Sequence, residues 1–463
     1  MRPDAYMQRA HAGADERPRA LPMVTNSVSL MLGKAATMAL GFLFWLAAAR
    51  HFEASEVGLA AGVVAAMMLC TQLAVLGVGS AVITQFPENA AQPRRLLDTA
   101  FTVAGGAAIA AAAAFLLLSS NLFRELSVVN STPLYALLFF LMCLVGTIGI
   151  VLDQVSIALR RGDQVLIRGA VFGGITVVLL LAVASATQWQ SSIAIFSPWV
   201  IAGLGACALG SFQLWRSLSN YRYRPYIEVY VAKDLLRVGM PNYALTLTER
   251  APGLLVPIVV TELLSPAANA TWYVVWMMAW VVFIIPISAG LALFSEGVHR
   301  PEALRSSVSQ AVRSALGIGL LSAATIALLA PSLLSLLGES YADDGATPLR
   351  ILVWTVAPLV FVQAYFSACR ARQKLREAIL TGAVAGVVAV AAASVAGVAY
   401  GLNGMAVAWL ASQFLAGTWA IWRIRSLRER DGRHDPEGRG LAWVRAGEAS
   451  DKPALRLTRE SAQ

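Results

Sequence analysis

Histidine, cysteine and charge are scarce in this chain, and each shortage removes a class of function. The four histidines, His11, His51, His299 and His434, all lie away from the middles of the apolar blocks, which excludes a histidine proton relay across a membrane. The four cysteines, Cys70, Cys143, Cys207 and Cys369, sit singly inside apolar blocks, so neither a disulfide framework nor a CxxC metal site is expected. No stretch has metal-ligand spacing, and no GxxxxGK[ST] phosphate loop occurs, which argues against ATP hydrolysis. Charged residues make up 14% of the chain, where a soluble protein carries about 25%.

What is abundant is apolar. Apolar residues account for 57% of the 463, and the mean hydropathy is +0.64. They arrive in blocks of about 18 or more between short polar breaks, the pattern of a polytopic α-helical membrane protein; a transmembrane barrel would show weak ten-residue alternation. The net charge of +9 does not indicate a nucleic-acid partner, because no globular segment carries a basic face and the cations follow the breaks. The stretch before Leu21 is polar and mixed in charge, with no cleavage-site pattern after the first apolar run, so that run is expected to be a retained helix.

Twelve spans are expected: Val24–Ala49, Val57–Thr84, Leu96–Leu118, Leu134–Leu159, Leu166–Ala186, Ile193–Trp215, Leu236–Leu263, Ala270–Phe294, Val312–Leu337, Leu349–Cys369, Ala378–Leu402 and Gly404–Ile421. Of the 36 lysines and arginines, 31 fall on the side of the two termini, while the opposite breaks carry Glu53, Glu56, Glu125, Glu339, Asp343 and Asp344. The positive-inside rule therefore places both termini in the cytoplasm. The longest interior break, Arg216–Lys233, mixes Tyr221, Tyr223, Tyr226 and Tyr230 with basic residues and suits the lipid headgroups. The expected divisions are a tail over 1–22, a six-helix lobe over 23–215, a linker over 216–235, a second six-helix lobe over 236–422 and a disordered tail over 423–463. Pro301–Ala311 is a further candidate surface helix.

The halves carry signs of duplication. Asn26 and Lys34 in span 1 match Asn242 and Arg250 in span 7 at a numbering offset of 216. Pro87-Glu88 matches Pro301-Glu302 at 214, and Ala158-Leu159-Arg160 matches Ala368-Cys369-Arg370 at 210. Six helices per unit preserve orientation, so the halves would be related by an axis along the membrane normal, with substrate near the midplane between them.

Span 1 and its exit read GFLFWLAAARHFEASEVGLAAG, followed by LAVLGVGSAVITQFPE, and span 8 with its exit reads FIIPISAGLALFSEGVHRPEAL. An Arg after span 1, a Gly opening span 2 and a Leu-Phe-x-Glu after span 8 resemble the polysaccharide-exporter branch (Wzx-type oligosaccharidyl-lipid flippases) of the multidrug/oligosaccharidyl-lipid/polysaccharide (MOP) superfamily. The resemblance covers about residues 24–425. It implies an all-α polytopic, MATE-like fold: about twelve transmembrane helices in two six-helix lobes around a central cavity open alternately to each side. The longer helix set of the peptidoglycan-precursor flippases is not matched by twelve spans. The implied substrate is an undecaprenyl-pyrophosphate-linked oligosaccharide, moved from the cytoplasmic to the outer leaflet of the bacterial cell membrane. Implied partners are this lipid-linked glycan, membrane lipids and polysaccharide-assembly proteins, with no cofactor and with membrane potential or an ion gradient as the driving force. The alternative is a cation-coupled multidrug antiporter of the same superfamily. A membrane-embedded glycan polymerase or glycosyltransferase is disfavoured by the short outer breaks.

Met240–Pro257, MPNYALTLTERAPGLLVP, is where charge and proline meet inside a span. Charge in a membrane helix is costly and faces protein or water, and a mid-membrane proline frees a carbonyl, so a bent, cavity-lining helix is expected. At about 1.5 Å per residue, Lys34 lies about 15 Å and Arg250 about 21 Å from the cytoplasmic ends of their expected spans, too deep for a lysine stem to snorkel. Lys34, Arg250 and Glu249 are therefore the candidate headgroup site. The guanidinium would fork onto a pyrophosphate with the ammonium as a point charge; otherwise Lys34 forms a fixed ion pair with Glu249 across the lobe interface. The buried charge of the N-terminal lobe is basic, which favours an anionic substrate over a coupled cation. Arg50, Asp153 and Glu296 lie at span ends, either simply solvated or gating and coupling. Trp272, Trp276 and Trp280 form an i, i+4, i+8 stripe that either packs or stacks on sugar rings.

Overall fold

Leu76 (φ 49°), Gly77 (φ 74°) and Gly401 (φ 65°) are the left-handed residues that break two of the long helices of this chain, and the architecture follows from where they fall. The computed structural model describes residues 20–89, 93–186, 190–218, 221–299, 304–372 and 374–434, and their side chains except at 20–32, 34–35, 291–292, 294–299, 304–308 and 427–434. Apart from short turns and linkers, every described element is helical: α1 (Ala20–His51), α2 (Ala54–Val75), α3 (Val78–Gln85), α4 (Pro93–Leu122), α5 (Pro133–Ala158), α6 (Gly162–Ala186), α7 (Ser192–Ser217), α8 (Val229–Leu263), α9 (Pro266–His299), α10 (Leu304–Ser335), α11 (Glu339–Leu352), α12 (Val356–Ala371) and α13 (Leu375–His434). Short 3-10 turns lie at Leu126–Asn130 and Val353–Thr355.

Among the described residues, ten segments are long and apolar enough to cross a membrane. One of them, α13, is two spans. Gly401 folds it back so that Arg423 reaches Glu377, Nε to Oε1 2.6 Å, although 46 residues separate them. In a straight helix that separation would be about 69 Å. With α1 added, the twelve expected spans are present. Span 1 is α1, span 2 is α2–α3, and spans 3 to 9 are α4 to α10. Span 10 is α11–α12, and spans 11 and 12 are the two arms of α13.

Several boundaries differ from the sequence expectation. Span 10 begins at Glu339, drawing Asp343 and Asp344 onto a helix. Span 7 begins at Val229, leaving only 221–228 as extended linker. That linker is tied to span 3 and leaves Tyr223 and Tyr226 exposed. Tyr221 donates its hydroxyl to Asp98 (2.5 Å), and the amides of Arg224, Tyr226 and Glu228 donate to Asp98, Thr102 and Thr99. Burial and the Asp98 carboxylate push the Tyr221 hydroxyl pKa upward. Residues 304–311 are the first turns of α10, not a separate surface helix, while 301–303 lie outside the described residues. The C-terminal tail begins as helix through His434, anchored at Arg423; residues 1–19 and 435–463 lie outside the described residues.

Span 1 packs on span 5 as span 7 packs on span 11, and spans 2 and 4 meet as spans 8 and 10 do. The contacts repeat residue by residue. A Cβ on Gly169 would lie 2.6 Å from Thr37 Oγ1, and one on Gly382 2.5 Å from Thr248 Oγ1. Gly173 faces Leu40 as Gly386 faces Pro252, and Gly79 faces Gln154 as Gly290 faces Gln363. Every one of these equivalences falls at a numbering offset between 209 and 213. The duplication is thus visible in packing, but it corrects one pairing. At this register Lys34 is level with Leu245 or Thr246, so Arg250 stands about one turn further along its helix than the match to Lys34 at 216 requires.

Candidate functional site

Below, "upper" is the end of the bundle bearing Arg50 and Glu262, and "lower" the end bearing the chain termini. Span 2 is the most buried of the ten membrane-length segments found among the described residues, and it lies against spans 7 and 8 of the other lobe. At the upper end Asn269 Nδ2 donates to the Gly58 carbonyl at 2.8 Å, and Gly62 has no Cβ because Thr261 would be 2.6 Å from it. Trp45 of span 1 meets Tyr273 of span 8 with ring centroids 4.7 Å apart. At the lower end Gly239 meets Gly77 backbone to backbone, a Cβ on Gly239 falling 2.1 Å from the Gly77 oxygen. Tyr243 donates its hydroxyl to the Gln72 carbonyl, and Gln85 donates to Asp234.

Arg250 lies between these two sets of contacts. It follows Tyr243 by two helical turns and precedes Thr261 by three, so at about 100° per residue all three share one face of α8, the face turned to span 2. Against span 2, Thr261 is buried and Tyr243 half-buried, yet Arg250 is exposed. Among the described residues it makes no ion pair or hydrogen bond. Leu263, the upper end of α8, lies about 20 Å further along the helix. The helix runs unbroken through Pro241, Pro252 and Pro257.

Glu249 points elsewhere. One residue is about 100° of helix, and this turn directs its carboxylate to span 10, where Arg370 Nη2 donates at 2.8 Å and Gln363 Nε2 at 3.1 Å. The partner seen for Glu249 is Arg370, within its own lobe; the alternative pair with Lys34 rests on a side chain outside the described residues. Arg370, a cation of a lower break by sequence, is drawn inward in the last turn of α12. A stripe of Gln363, Ser367 and Arg370 at i, i+4 and i+7 in an apolar span was the signal that could have revealed it. The side chains of Lys34 and Glu296 lie outside the described residues.

The remaining candidates find partners. Asp153 accepts from Arg168 Nη2 at 2.5 Å; Arg168, 5% exposed, also donates to Gln213 (2.7 Å) and Ser156 (3.1 Å), stapling spans 4, 5 and 6 at their lower ends. Arg50 donates to the carbonyl of Leu336 at 2.8 Å, a contact between the lobes. Its partner there is a backbone carbonyl, not an acid. Trp272 is fully buried and stacked on Trp276 at 6.1 Å, so it has no face open to a sugar. Trp276 meets Trp409 edge-on at 4.9 Å and fills the space beside Gly253, and Trp280 packs edge-on against Phe283. The stripe is packing at Trp272 and Trp276.

No protein-family model matches the chain, and no curated protein matches it in sequence. Solved structures match its fold. The lipid II flippase MurJ in an inward closed conformation has TM-score 0.68 at 11% identity, over 86% of this chain and 87% of that one. An inward-facing multidrug resistance MATE family transporter of the MOP superfamily has TM-score 0.64 at 16% identity, over 86% of this chain and 99% of that one. An outward-facing MATE family transporter has TM-score 0.62 at 15% identity, over 88% and 96%. The chain is a multi-pass membrane protein with the fold of these transporters: two six-helix lobes, built from an internal repeat.

Proposed function

We propose that this protein carries a lipid-linked oligosaccharide, joined through pyrophosphate, from the inner to the outer leaflet of a bacterial cytoplasmic membrane by alternating access. The observation that carries the reading is Arg250: a guanidinium in the middle of span 7, aimed at the other lobe, with no ion-pair or hydrogen-bond partner among the described residues. An unpaired cation in a membrane interior demands an anion or water, and a diphosphate matches the planar fork of Arg. Glu249 does not neutralise it, because that carboxylate is held by Arg370. Lys34, in the helix related to span 7 by the repeat, would add a second positive charge. Membrane potential or an ion gradient drives the cycle, both termini lie in the cytoplasm, and the chain transports without making or breaking covalent bonds.

Deleting the gene and resolving lipid-linked glycans by leaflet tests this. Accumulation on the cytoplasmic leaflet, reversed by the intact gene and not by R250A, is the expected result. Normal lipid intermediates together with altered drug sensitivity would overturn it in favour of the multidrug antiporter.

A further inference from the structure

Arg50 and Glu262 occupy equivalent places at the upper ends of spans 1 and 7, related by a numbering offset of 212 that lies within the range of the repeat. Each reaches the opposite lobe. Arg50 donates to the carbonyl of Leu336, just past the C-terminal end of α10. Glu262 accepts from three successive amides at the start of the turn after α4: Arg124 (2.7 Å), Glu125 (3.2 Å) and Leu126 (2.7 Å). The receiving segments are equivalent as well, since Arg124 and Leu336 are related by the same offset. The side chain has changed sign between the lobes, and so has the backbone pole it meets. Carbonyls at a helix end are partly negative and suit a guanidinium; amides opening a helical turn are partly positive and suit a carboxylate. Both contacts cross the lobe interface, where Gly58 also closely approaches Pro266 and Gly62 closely approaches Thr261.

We infer that Arg50 and Glu262 form a pair of pseudo-symmetric clasps that hold the upper side of the transporter shut. Separating the lobes at that end must break both, so together they set the balance between conformers closed and open at the top. The Glu262 clasp is the stronger, being half-buried with three charge-assisted bonds, whereas Arg50 is exposed and makes one. The inference rests on alternating access and not on the identity of the substrate.

The test places spin labels at Gln190 and Tyr400, exposed positions at the equivalent upper tips of spans 5–6 and 11–12, with the full chain in lipid nanodiscs without substrate. Distances are read by double electron–electron resonance. Glu262→Ala should raise the ratio of long to short distances about tenfold, and Arg50→Ala about two- to threefold. Arg50→Lys, which still donates, and Glu262→Gln, which keeps one acceptor, should lie between; they also serve if an alanine variant does not fold. A double variant with the parental distance distribution would overturn the inference. So would loss of thermal stability with that ratio unchanged, the mark of a merely structural cap. Because no substrate is present, failure of the flippase reading leaves this outcome unaffected.

Discussion

Arg370 Nη2 lies 2.8 Å from Glu249 Oε2, and through that contact a cation from the end of span 10 neutralises the carboxylate beside Arg250. Both side chains are about five-sixths buried, at 16% and 17% exposure. Removing one partner of such a pair strands the other charge, which costs about 3 kcal/mol. R370A is expected to lower the thermal unfolding midpoint in detergent, and the E249Q R370M double variant to recover most of the loss. A double variant as unstable as the single would show that the pair is not the source.

Arg250 should behave in the opposite way. It makes no ion pair or hydrogen bond among the described residues, so R250A should leave the unfolding midpoint unchanged while lowering transport about tenfold or more, the value of a charge-assisted bond to an anion. R250K, which keeps the charge without the fork, should fall between. Leaflet-resolved transport and melting curves, measured on the same preparations, separate the two effects.

The close approach of Gly239 to Gly77 has a steric consequence. G239A would place a methyl 2.1 Å from the Gly77 oxygen, and neither backbone has a flexible end that could yield. Folded yield by fluorescence-detected size exclusion should drop sharply. Gly106, with nothing within 4 Å of a built Cβ, is the control, and G106A should keep or improve the yield.

Asp153 is expected to act as an anchor. D153A leaves Arg168, 5% exposed, with only the neutral acceptors Gln213 and Ser156, at a cost of about 3 kcal/mol. D153N retains an acceptor and should cost less. Transport per folded molecule should be unchanged in D153N; a selective loss there would make Asp153 a coupling residue.

The chain's hydrophobic pattern was enough to define the membrane class, the twelve spans and the two lobes, because a bilayer demands about 20 apolar residues per crossing and that demand is local. The duplication was legible too, in the match of Ala158-Leu159-Arg160 with Ala368-Cys369-Arg370, although the matches of Asn26 with Asn242 and of Lys34 with Arg250 ran about one turn out of register. Short motifs drift with single substitutions; contacts such as Gly169 on Thr37 and Gly382 on Thr248 cannot shift without clashes. Tertiary structure alone decided where the buried charges point. Sequence places Glu249 and Arg250 side by side, but the turn of about 100° between them sends one to Arg370 and leaves the other open. It could not show that Arg50 meets a carbonyl, that Asp153 holds Arg168, or that Trp272 is sealed in the core. Partners in an ion pair or a clasp come from segments 15 to 286 residues apart, and only the packing of whole helices brings those segments together.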